Sequence, residues 1–191
     1  MKYVLAVLVL VLAIAGAFWM QGHVSTAGTP VATSTENVLQ ALNRTQTQTL
    51  AQTPRQSPPG QKEYKNEKYH FSLIIPENLT VKEYDEGAGA ATITFQDIKN
   101  AQGFQIFVVP YADTQITEEQ FKKDEPSGVR RDSQDITIDT ASAVSFYSKN
   151  PLLGDTAEIW FIHGGYLYET TSLKPLASWL SDIMLTWTFV Y

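Results

Sequence analysis

The 191-residue chain contains no cysteine. That excludes disulfides, thiolate nucleophiles, iron–sulfur clusters and thiolate zinc sites. It also excludes a bacterial lipobox, which needs a cysteine to acylate. A domain of this chain placed outside the cytoplasm would rest on its hydrophobic core alone. Histidine is scarce: His23, His70 and His163 make up the 3 in the chain. No His-x-x-x-His or carboxylate-rich metal spacing accompanies them, no Gly-x-Ser-x-Gly elbow occurs, and no Gly-rich loop carries a phosphate-binding Lys. Esterase-like and nucleotide-hydrolysing chemistry therefore has no support. A third deficit is local, since Gln21 to Glu63 holds no Phe, Trp or Tyr.

What is present falls into three parts. Tyr3 to Met20 is an uncharged apolar run behind Lys2. As a helix it would span ~27 Å, close to the hydrocarbon thickness of a bilayer. The positive end would stay cytoplasmic and the remainder would face outside. Residues 1–20 thus read as a transmembrane anchor or as a signal peptide. Ala15-Gly16-Ala17 fits a cleavage site, with Ser25-Thr26-Ala27 a weaker second. Phe18-Trp19-Met20 instead continues the apolar run, and Trp19 suits an interfacial anchor. No polar face exists for a soluble helix.

Residues 21–63 read as a flexible linker. Thr, Gln, Ser and Pro dominate, a composition that buries too little apolar area to offset chain entropy. The Thr-Gln alternation from Thr45 to Thr49 is low in complexity, and Arg55 to Gly60 stops regular structure. Val38, Leu39 and Leu42 allow one short helix. As a coil the segment reaches ~35 Å.

Residues 64–191 read as a single domain large enough for a continuous core. They carry a net charge of −8, against +2 for residues 1–63. An acidic domain is a poor partner for nucleic acid and is repelled by anionic lipid, while suiting solubility. Phe71 to Ile75 is expected as a strand ended by Pro76. Leu79 to Glu83 and Ala91 to Gln96 alternate as strands around the Asp85 to Gly89 turn. Gly103 to Val109 is apolar almost throughout and is expected at the centre of the sheet. A helix should begin at Thr117 as N-cap, with Gln120 as capping-box partner and Phe121 facing the core. Pro126 and Gly128 stop it. Ile136 to Ile138 and Ala143 to Tyr147 follow as strands. Glu158 to Ile162 and Tyr166 to Thr170 flank His163-Gly164-Gly165 as a hairpin, where Gly-Gly supplies the positive φ of a primed turn. A last helix runs from about Pro175 to Leu185 with Leu176, Leu180, Ile183 and Met184 as its apolar stripe, and Thr186 to Val190 is a final strand. The order ββββ–α–ββββ–α–β implies an α+β fold, a mostly antiparallel sheet packed with two or more helices.

Two stretches carry a family resemblance. Tyr64-Lys65-Asn66-Glu67-Lys68-Tyr69-His70-Phe71-Ser72-Leu73, followed by Ile75-Pro76, resembles the opening of PsbP-like domains, named for an extrinsic subunit of the photosynthetic oxygen-evolving complex. Ile183 to Phe189 resembles the helix-to-strand close of that superfamily, and the hairpin through Tyr166-Leu167-Tyr168 is similar too. His70 stands where the family has Gly, and no Trp follows Pro76. The resemblance implies an antiparallel sheet between helices and an accessory or binding role; it carries no site residue across.

Among candidates for chemistry, His163 sits alone on the hairpin. Asp124, Glu125, Asp132, Asp135 and Asp139 could collect Ca²⁺, but they match no calcium loop and have Arg130 and Arg131 beside them. Trp160 and Phe161 fall on opposite strand faces, so either helices cover both faces or one face binds something. The expectation is a non-enzymatic, membrane-anchored extracytoplasmic module with an accessory, scaffold or protein-binding role. It would have no catalytic, cofactor or metal residues, and its partners would be the membrane, through residues 1–20, and a protein. Two other readings stand beside it: a small-ligand domain with an apolar pocket lined by Tyr147, Trp160 or Tyr168, and an enzyme built on His163 or a carboxylate.

Overall fold

The computed structural model describes residues 57–190. The expected anchor and most of the linker lie outside the described residues. No helix among the described residues is long and apolar enough to cross a membrane.

Ten strands and two helices follow in the order β1 (Gln61–Asn66), β2 (Phe71–Pro76), β3 (Thr80–Gly87), β4 (Ala90–Asp97), β5 (Gln102–Pro110), α1 (Glu118–Asp124), β6 (Arg131–Ile138), β7 (Ala141–Asn150), β8 (Gly154–His163), β9 (Tyr166–Leu173), a 3-10 turn (Lys174–Leu176), α2 (Ala177–Met184) and β10 (Thr188–Phe189). They form a seven-stranded sheet, β3-β4-β5-β9-β8-β7-β6, and a three-stranded sheet, β1-β2-β10. Every strand pair is antiparallel. The α+β class holds, and β5 lies inside the large sheet between β4 and β9.

Strand β1 is the element that sequence reading missed. It extends the folded domain upstream of Tyr64 to include Gln61, Lys62 and Glu63. Its composition is polar because it is an edge strand, paired only with β2 and solvated on one face. Its alternation is still present. Tyr64 packs edge-on against Phe95 at 5.1 Å, while Lys62 donates its Nζ to the carbonyls of Glu77 and Leu79. A second difference concerns His70, which the sequence reading puts in the first strand. It lies in the β1–β2 turn, not in a strand, with φ of 55°. That left-handed conformation is one glycine adopts at no steric cost, which accounts for the glycine usual at this place in the resembling family.

The small sheet and α2 pack on one face of the large sheet. Ile93, Phe95, Phe104, Ile106, Ile159, Phe161 and Tyr168 meet Phe71, Leu73 and Ile75 of β2, and Leu180, Ile183 and Met184 of α2, in one buried core. Strand period explains which residues enter: Ala91, Val108, Tyr168, Phe161 and Ala143 form one cross-strand row. Phe71 stacks on Trp187 at 4.2 Å, and Phe161 stacks on Tyr168 at 5.0 Å. The Tyr168 hydroxyl donates to the Tyr69 carbonyl at 2.8 Å, which ties the β1–β2 turn to β9.

The helix boundaries follow their chemistry. Thr117 caps α1 by accepting from the Gln120 amide, as its position predicts. The reciprocal half of the capping box is not made, because the Gln120 side chain donates to Asp124 instead. Pro175 opens a 3-10 turn before α2, so the last helix starts two residues later than Pro175. Gly164 and Gly165, at φ 58° and 82°, make the two-residue hairpin turn that the dipeptide demands. His163 pairs with Tyr166 across it.

Phe71→Ala removes the ring shared by both ends of the domain. It is expected to cost ~3–5 kcal/mol, read as a lower urea midpoint with an unchanged slope. A loss below ~1 kcal/mol would show that the core does not close on this residue.

Candidate functional site: a buried carboxylate pair beneath a short helix

The other face of the large sheet carries the unusual chemistry. Alternation places Glu158 and Trp160 of β8, Glu169 and Thr171 of β9, and Val144 and Phe146 of β7 on that face, with Trp160 paired to Glu169 and Glu158 to Thr171. Helix α1 covers them. Phe121 packs on Phe146 at 5.7 Å and on Trp160 at 5.6 Å, forming a second, smaller core. The two faces of the large sheet are thus both buried at β8, one against β2 and β10 and the other beneath α1. One helix, α1, covers the Trp160 side, and the small sheet with α2 covers the Phe161 side.

Glu158 and Glu169 are 3% and 6% exposed, a burial that carboxylates almost never have without pairing. Glu158 accepts from the Thr171 hydroxyl at 2.7 Å and from the Trp160 indole at 3.3 Å. Burial pushes its carboxyl up to about 8; the hydrogen bonds it receives oppose the rise, and nearby Glu125 adds to it. Glu169 is likewise raised well above the carboxylate range, first by burial and then by Asp124, whose side chain lies within hydrogen-bonding reach. Lys123 pulls the other way. One oxygen of Glu169 has no hydrogen-bond partner. Both carboxyls are therefore shifted toward the neutral form. A carboxyl in its protonated form can donate as well as accept a hydrogen bond. Among the described residues, no group of three His, Asp or Glu is placed to bind a metal ion.

The pair was invisible as a site in the sequence, where Glu158 and Glu169 are two ordinary acids in β-rich arms. The available signal was a charged residue at a core-facing position, beside Trp160 in one arm and beside Tyr168 in the other.

The residues singled out from sequence are scattered. His163 is half-buried and stacks on Phe189 at 3.5 Å; burial lowers its pKa, and Asp139 opposes that shift. Asp139 spends its Oδ2 on the Phe189 amide, so it pins β10. Both Asp132, at the irregularity near the start of β6, and Asp139, in the β6–β7 turn, have left-handed backbone at φ 54° and 50°. Asp124 and Glu125 belong to the α1 end and face the buried pair, while Asp135 lies on edge strand β6. These five acids do not converge. Tyr147, Trp160 and Tyr168 line no common pocket either. A cavity between α2 and the β7–β8 pair touches Tyr147, Leu180 and Ser181 and has a volume of about 20 Å³. That is room for one water, far below the ~300 Å³ of a small-ligand site.

No protein-family model matches the chain, and no curated protein matches it. Among solved structures the chain is similar to the solution structure of cyanobacterial PsbP (CyanoP) from Synechocystis sp. PCC 6803. The identity is 10% and the TM-score 0.49, over 73% of this chain and 98% of that one. At that identity no residue role, partner or activity passes from that protein to this chain.

The raised acids set the sign of a pH effect. A carboxyl whose pKa is higher folded than unfolded binds more protons in the native state, so stability falls as pH rises between the two values. For Glu158 that window runs from 4.5 to about 8. The melting temperature is expected to fall across it. Glu158→Gln should flatten the fall and leave the variant more stable than the parent at pH 9. A parent whose melting temperature rises through the same window contradicts a neutral buried Glu158.

Proposed function

We propose that the chain is a membrane-anchored, extracytoplasmic, non-enzymatic module that serves an accessory or scaffold role by binding a protein partner. Residues 1–20 would hold it in the bilayer and residues 21–56 would space it away. The observation that carries the reading is the self-contained domain. Its two aromatic cores close within residues 57–190, and its polar first strand completes the small sheet. Everything upstream is left to address and tether it. The apolar run behind Lys2 supplies the address.

Two observations rank this reading above its competitors. The cavity beside Tyr147 is too small for a metabolite, which disfavours the small-ligand reading. His163 lies flat on Phe189, and the buried acids are sealed beneath Phe121, so neither candidate acid–base group presents itself to a substrate.

Full-length protein is expected in the membrane fraction after alkaline carbonate washing, with the domain digested by protease added from outside intact cells. Deletion of residues 2–20 should leave the domain in the cytosolic supernatant. Recovery of the intact chain in the cytosol overturns the reading.

A further inference from the structure

We propose that the end of the domain where the chain enters rests on a lipid bilayer, with Ile98 and Leu152 as its two inserted side chains. The inference rests on the membrane-anchored reading above and adds an orientation and a surface to it. These two are the exposed large hydrophobics among the described residues, at 60% and 57% exposure. Both sit on turns, Ile98 between β4 and β5 and Leu152 between β7 and β8. The register places the two turns at the same end of the sheet, because both lie beyond the row that joins Phe104, Ser172, Ala157 and Tyr147. Three strand spacings separate them, or ~14 Å.

Neither tip is a floppy accident. Asp97 accepts from the Asn100 amide and from the side chains of Asn78 and Asn100, which fixes the Ile98 turn. Asn150 accepts from the amides of Leu152 and Leu153 and fixes the other. The turns hold aliphatic side chains in water at a cost that burial in lipid would recover.

The point where the chain enters lies at the same end. The Gly60 carbonyl accepts from the Glu77 amide, Lys62 caps the 77–79 turn, and Asn78 of that turn bonds Asp97 beside Ile98. An arm leading from the bilayer therefore delivers this end first. Charge agrees with the placement. Lys99 and Lys149 are exposed here, with Lys174 lying over the Tyr147 ring at 4.5 Å. Of the carboxylates at this end, Asp97 is occupied by amides and Asp155 pairs with Arg131 at 3.1 Å, leaving Glu77 and the exposed Asp132, which lies near Tyr147. The opposite end carries Asp85, Glu86, Asp113 and Asp139 on its turns and strand ends, with Lys68 near Asp85. These four acids lie away from the proposed contact, and lysines beside aliphatic tips suit anionic headgroups. Two side chains bind a bilayer weakly by themselves. Tethering raises the effective concentration to the millimolar range, where weak docking suffices.

The absence of cysteine makes the test clean. The full chain is reconstituted in phosphatidylcholine–phosphatidylglycerol vesicles with an environment-sensitive dye on Pro151→Cys, or on Asp113→Cys at the opposite end. Flotation after carbonate washing reports anchoring; dye quenching by nitroxide-labelled lipid reports docking. Quenching at position 151 and none at 113 is expected. Ile98→Asp or Leu152→Asp should each lower the docked fraction about tenfold without changing the melting temperature. A protein that floats but shows no quenching at 151 sinks this inference and spares the anchored reading. A blue-shifted dye without quenching marks a second copy or another protein in place of lipid, and equally overturns it. A chain that does not float defeats both.

Discussion

Phe71 lies flat against Trp187 at 4.2 Å and pairs with Phe189 across β2 and β10. Through that contact the first core strand and the last strand of the domain become neighbours. Strand β2 is flanked by β1 and β10 and lays Phe71, Leu73 and Ile75 onto the large sheet. Thr186 adds a clasp, accepting from the Ile74 amide at 2.8 Å. Removing this strand would take Phe71 off Tyr168 and off Trp187, leaving Trp187 and Phe189 as the rings over Phe161 and Tyr168 without the strand that Phe189 pairs with. A cysteine-free domain has no covalent alternative to such a closure.

The same closure explains the short motifs that resemble PsbP-like domains. Tyr64, Asn66 and Tyr69 are not surface ornaments. Tyr64 donates to Glu83 at 2.6 Å, Asn66 donates to the Tyr64 hydroxyl at 2.9 Å, and Asn66 accepts from the Tyr69 amide at 2.9 Å. The network binds the edge of the small sheet to β3 of the large one. Burial and Glu83 both push the Tyr64 phenol upward, so it stays a hydrogen-bond donor at any physiological pH. The motif thus encodes how the two sheets are joined. It says nothing of a ligand, which is why it suggests a fold and not an activity.

Energetically the two faces of the large sheet are unequal. One is a continuous aromatic core; the other rests on three rings, Phe121, Phe146 and Trp160, above two acids that burial shifts toward the neutral form. A seven-residue helix has little intrinsic stability, so α1 stays in place through Phe121 and its cap. Arg130 over the Phe121 ring at 5.1 Å adds to that hold. This is the region where the native state is expected to open first, and where pH acts most directly on it.

Local signals in the sequence were sufficient for nearly every element. Alternation, apolar or β-rich runs and strand-ending prolines located nine of the ten strands, Thr117 located the start of α1, and Gly164-Gly165 located the hairpin, because each depends on residues within a few positions of one another. Strand β1 escaped because an edge strand needs apolar residues on one face only, and Lys62 and Glu63 masked the pattern. What sequence could not contain was adjacency across distance. Glu158 and Glu169 become a pair only when β8 and β9 align, and Ile98 and Leu152 share one end only through the register of β5, β9, β8 and β7. Pairing register is settled by packing among strands far apart in the chain, so those groupings belonged to the tertiary structure alone.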